Sequence, residues 1–166
     1  MKKRLFSICF LLSFIILFCS CSISDTGSSI YGFTKRINQA DKSYNMTVNG
    51  YIIDQENKTF TKYFTFDEKN LMLRFTYNQK NELDSMSIVF DNLTADDSAQ
   101  LKFIKNCISS FVCNDAEVKQ IFAEGDFENA LLTKDINTRK TKIGNTEILI
   151  DVTEIGTVIT VLQNTL

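Results

Sequence analysis

The stretch Thr59–Phe90, TFTKYFTFDEKNLMLRFTYNQKNELDSMSIVF, decides the fold, because its apolar residues recur with a period of two. In the first segment Phe60, Lys62, Phe64 and Phe66 fall on one side, with Thr59, Thr61, Tyr63 and Thr65 on the other. Leu71, Leu73, Phe75 and Tyr77 then alternate with Met72, Arg74, Thr76 and Asn78, and Met86, Ile88 and Phe90 with Ser85, Ser87 and Val89. The polar spacers Asp54–Lys58, Asp67–Asn70 and Asn78–Glu82 suit hairpin loops of three to five residues. From Met46 onward this pattern predicts a meander of about four antiparallel strands. One face is apolar and needs a cover, while the other is rich in Ser and Thr.

The cover is predicted on both sides of the meander. Before it, Phe33, Ile37, Ala40 and Tyr44 recur at helical spacing, which places a short helix at about Phe33–Asp41. After it, Thr94-x-x-Asp97 resembles a capping box and opens a helix with Leu101, Ile104, Ile108 and Phe111 as its stripe. Asn114-x-x-Glu117 starts a second helix with Val118, Ile121 and Phe122 inward, and Gly125 ends it. Phe127, Ala130 and Leu131 give a further helical turn. Strands then return at Thr138–Ile143, Thr146–Thr153 and Thr157–Gln163, with turns at Gly144-Asn145 and Ile155-Gly156. The fold class is α+β, an antiparallel meander with helices packed on one face. Phe64, Phe75, Ile88, Ile104 and Phe111 are its expected shared core.

The N-terminus carries an address. Lys2, Lys3 and Arg4 precede a run from Leu5 to Leu17 that is apolar apart from Ser7 and Ser13. That is the layout of a signal peptide, short for a membrane span and basic on one flank only. The segment Leu17-Phe18-Cys19-Ser20-Cys21 resembles the lipobox of bacterial lipoproteins. Phe18 would be a bulky residue before a cut at Cys19, whereas Ser20 fits a cut at Cys21. Phe18 also stands three places before Cys21, where lipoboxes usually carry Leu. The resemblance implies a signal peptide over residues 1–20, a diacylglyceryl (palmitate-type) anchor on Cys21 and placement on the extracytoplasmic face of a cell membrane. A plain secreted protein cut near the same place is the alternative. Residues 21–30, with Ser22-Ile-Ser-Asp-Thr-Gly-Ser-Ser29, read as lipidated cysteine and flexible tether, and residues 31–166 as one globular domain.

Composition narrows the chemistry. Cleavage leaves 146 of 166 residues, enough for one domain with a core. The whole chain has a formal net charge of −2, and losing Lys2, Lys3 and Arg4 makes it −5, which argues against nucleic acid as a partner. Pro is absent, so turns must rely on Asn, Asp and Gly. His is absent too, which removes Ser-His-Asp and Cys-His catalysis and every His-containing zinc site. Only Cys107 and Cys113 remain as mature thiols. Six helical positions span about 9 Å, too far for a disulfide unless the helix ends before Cys113. Cys107 reads as a small core residue.

Paired carboxylates are the remaining catalytic option. Asp96 and Asp97 lie at a helix start, where acids complement the dipole. Glu124-x-Asp126-x-Glu128 surrounds a glycine but lacks the calcium-loop pattern. No metal, cofactor or catalytic residue is assigned. The hydroxyl-rich face (Thr59, Thr61, Tyr63, Thr65, Arg74, Thr76, Ser85, Ser87) is the better surface, with Tyr63 and Arg74 as contact residues of the types enriched in hot spots. The expected function is a non-enzymatic, lipid-anchored binding or interaction domain. Its partners would be the membrane, through Cys21, and a surface protein or envelope component. The alternative is a small carboxylate-dependent hydrolase acting on glycans.

Overall fold

A computed structural model describes residues 29–66, 68–123, 127–132 and 136–163. The signal peptide, Cys21 and most of the tether lie outside the described residues, as do Asp67 and Gly125. The architecture is the expected α+β one, an antiparallel sheet with its helices on one face.

Among the described residues, seven strands form one sheet: β1 (Ile52–Asp54), β2 (Thr59–Phe66), β3 (Lys69–Tyr77), β4 (Leu83–Phe90), β5 (Asn137–Ile143), β6 (Thr146–Val152) and β7 (Thr157–Gln163). Their order is β1-β2-β3-β4-β7-β6-β5, every neighbour antiparallel. The N-terminal meander and the C-terminal hairpins therefore join at β4–β7, which leaves β5 as one edge of the described sheet and β1, with residues 62–66 of β2 beyond it, as the other. Alternation settles the faces. Cross-strand partners Phe60, Phe75 and Met86 share a side with Leu73, Ile88, Ile159 and Ile150, and this row continues across the sheet.

That side is covered by α1 (Ile30–Ala40), α2 (Ser98–Val112), α3 (Asp115–Ala123) and α4 (Phe127–Leu132). The first helix begins earlier than the sequence pattern predicts, because the Ser29 hydroxyl accepts the Gly32 N–H at 3.0 Å as an N-cap. Phe33 meets Phe75 edge-on at 4.7 Å between centroids. Ala40 is exposed, and Tyr44 reaches Phe103 from a 3₁₀ turn beyond the helix rather than from its stripe. Phe75, Ile88, Ile104 and Phe111 are buried in one core, with Phe64 half-buried against Phe103 at 4.8 Å.

Two local corrections have clear causes. The helix expected at Thr94 starts at Ser98; Thr94–Asp97 is a turn in which the Asp97 carboxylate accepts from the Thr94 N–H and hydroxyl. The loop between β2 and β3 shrinks to two residues, since pairing runs on to Phe66↔Lys69, and Lys69 continues to Asp97 at 2.5 Å. The other turns use the predicted residues. Asp54 accepts from the Asn57 backbone and side chain, and Asn78 Oδ1 accepts from the Lys80 and Glu82 N–H groups. Asn114 opens α3 as expected, accepting from Ala116 and Glu117.

Candidate interaction surface

The uncovered sheet face is built by the residues that alternate with the core. One row of register partners runs Tyr63, Met72, Val89, Val158, Asp151, Thr138, and the next runs Thr61, Arg74, Ser87, Thr160, Leu149, Lys140. Tyr63 is 64% exposed and Arg74 is exposed, so both expected contact residues point outward. They are diagonal neighbours, Tyr63 facing Met72 and Arg74 facing Thr61, about 7–8 Å apart by sheet geometry.

The hydroxyls differ from expectation. Thr59 is buried between its partners Asp54 and Thr76. Thr76 and Ser85 hydrogen-bond to each other at 2.7 Å, and Ser87 and Thr160 at 3.4 Å. Across β3, β4 and β7 these groups satisfy one another and tie strands together. The more available surface is apolar. Tyr63, Met72, Val89 and Val158 lead to the loop of Ile155, which is 91% exposed, and together with Asp91 they line a groove of about 380 Å³. Hydrogen bonds pin the loop at its base: Thr153 Oγ1 donates to the Gly156 carbonyl at 2.7 Å, and Asn92 Nδ2 to the Thr153 carbonyl at 3.0 Å.

A second cleft of about 360 Å³ opens on the helix side, with Phe64, Phe66 and Phe103 below and Asp41, Tyr44 and Lys102 at the rim. Asp41 accepts from Ser43 N–H and hydroxyl and from Lys102 Nζ at 2.8 Å, and the Lys102 contact leads in holding its carboxyl far below the usual range. Asp41 therefore stays ionised and its lone pairs are engaged, the opposite of a general acid.

The described carboxylates weighed for catalysis are exposed or held in ion pairs. Asp96 is exposed, while Asp97 is bound to Lys69 and Thr94 with its pKa lowered, chiefly by Lys69. Glu128 pairs with Lys105, and Glu124 and Asp126 lie outside the described residues. Among the described residues no group of three or more Cys, Asp and Glu is placed to hold a metal, and no helix is long and apolar enough to cross a membrane. Cys107 is buried and Cys113, in the left-handed conformation after α2, is exposed; the two are not joined in a disulfide, and burial raises the pKa of each.

Met72 and Val89 were legible as outward residues of separate strands, whereas for Val158 the sequence reading gave a strand but no face. The alignment of the three into one row was not legible, because it depends on the long-range β4–β7 register. The signal for Ile155 was a lone Ile in a polar turn before Gly156. No protein-family model, curated protein or solved structure matches this chain.

Proposed function

We propose that this chain is a lipid-anchored binding domain on the outer side of a bacterial cell membrane, held by Cys21 and engaging an envelope component or surface protein through its open sheet face. The observation that carries the reading is the one-sided cover. Among the described residues four helices pack on one face of a seven-stranded sheet, and the other face presents a half-buried apolar row, an exposed Tyr and an exposed Arg. A continuous exposed apolar patch with a polar rim is the usual mark of an interaction surface. The pairing of Asp97 with Lys69 and of Glu128 with Lys105, with Asp96 exposed to solvent, favours binding over the rival glycan hydrolase, which needs two carboxyls facing one bond.

Photo-crosslinking in cells tests this. A crosslinking residue at Tyr63 should trap a discrete adduct, and the same residue at Lys119, exposed on α3, should not. Adding Arg74→Ala should weaken the adduct at position 63. Equal adducts at both positions would defeat the proposed face. Turnover of cell-wall glycan that disappears with Asp96→Asn or Asp97→Asn would favour the hydrolase.

A further inference from the structure

We propose that the outer edge of β5 is a second docking site, which takes an acidic extended segment of a partner protein as a further antiparallel strand. β5 pairs with β6 without a break from Asn137↔Val152 to Ile143↔Thr146, and among the described residues no strand lies on its other side. A regular strand of this length offers a row of outward backbone donors and acceptors. At the opposite edge β1 pairs only with residues 59–61 of β2, and the run beyond it, residues 62–66, carries a single cation, Lys62, so it lacks the charge pattern of β5.

Residues Thr138 to Lys142 are exposed without exception, on both faces of the sheet. Arg139 and Thr141 project to the helix side, beside a gap of about 40 Å³ that Phe127, Ala130, Ile148 and Ile150 also line. Lys140 and Lys142 project to the open side. An added strand would therefore meet cations on both of its faces. Lys140 is paired with Glu147 at 2.8 Å, whereas Arg139 and Lys142 have no ion pair among the described residues. The strand contains no acid, in a chain of net charge −2, so this is a local reversal of the protein's sign.

Charge selects the occupant. Pairing β5 with β5 of a second copy would bring three cations against three, and like charges opposite one another across strands are destabilising. Edge lysines block indiscriminate pairing for this reason. A strand carrying Glu or Asp turns the same repulsion into attraction and supplies the selectivity.

The test uses the full chain in detergent and two labelled peptides matched in length to β5, one alternating Glu and Val, the other Lys and Val. The Glu peptide should bind about tenfold tighter, weaken with added salt, and slow amide exchange in residues 137–143. Arg139→Glu with Lys142→Glu should invert the preference, while Tyr63→Ala should leave it unchanged, which separates this site from the open face. Equal binding of both peptides, or slowed exchange elsewhere but not in 137–143, would overturn the proposal. So would protection of 137–143 that rises with protein concentration and no peptide, because it would identify a second copy as the occupant.

Discussion

Single residues explain the exceptions to the pattern. Lys62 sits on the core side of β2 because its stem crosses apolar surface and its ammonium finds partners at the rim: the Gly50 carbonyl at 3.3 Å and the faces of Tyr51 and Phe64 at 5.6 and 5.7 Å. Gly156 is fixed by a close approach. A Cβ there would lie 2.7 Å from the Phe90 carbonyl oxygen, which is backbone and unable to yield. Gly156→Ala should therefore cost about 1–3 kcal/mol in urea melts, whereas Gly50→Ala meets side chains alone, the flexible end of Lys62 and the Thr47 hydroxyl at 3.3 Å, and should cost less. Asp97 gives a pH signature. Its pKa is lowered in the fold, chiefly by Lys69, so the unfolded chain binds the proton more readily. Its stabilisation is complete above about pH 4, the unfolded value, and fades as pH falls through the lower folded value. Asp97→Asn should lose about 1–2 kcal/mol at neutral pH and flatten that acid limb, as read by melts from pH 7 down to about 2. A parallel downward shift at every pH would show that the carboxylate charge is not what matters.

At the scale of elements, period and turn chemistry made most of the strands readable, and burial tests the period directly. Phe75 is fully buried under Phe33, Tyr51 and Phe111, while Thr61 lies one strand away on the open face. Phe75→Ala should cost about 3–5 kcal/mol and Thr61→Ala less than about 0.5 kcal/mol; equal losses would place the strands in the wrong phase. What the sequence did not disclose was tertiary. Glu117 looked like half of a capping pair, yet besides accepting from Asn114 Nδ2 it accepts the Thr146 hydroxyl at 2.7 Å and packs where any side chain at Gly144 would stand. It clamps α3 to the β5–β6 hairpin, and no local pattern announces a contact between residues so far apart. Thr59 was placed by alternation alone on a wettable face, and its burial follows from β1 folding back beside it, which three residues scarcely signal. The open-face row likewise exists only once β7 lies beside β4.

For the whole molecule, the proposed function depends on how one-sided architecture meets the proposed attachment. The helices occupy one face and leave the other, with Tyr63, Arg74 and the Ile155 groove, for contact, while β5 adds a basic edge to a chain otherwise acidic. A surface of this kind gains from being held where its partner is concentrated, because tethering turns encounter into a local event. The lipobox-like segment supplies the tether in the proposed reading. Eight residues, Ser22 to Ser29, separate Cys21 from the first residue of α1, and an extended chain of that length spans at most about 28 Å. The domain would thus work close to the bilayer. Two acyl chains on one cysteine meet the two-signal requirement for stable attachment, which a single chain does not. Cys21→Ala should release the protein from the membrane fraction and abolish incorporation of labelled palmitate, while Cys19→Ala should retain both. Palmitate incorporated by Cys21→Ala would assign the anchor elsewhere. Release without loss of the Tyr63 crosslink would show that the open face finds its partner unaided by the membrane.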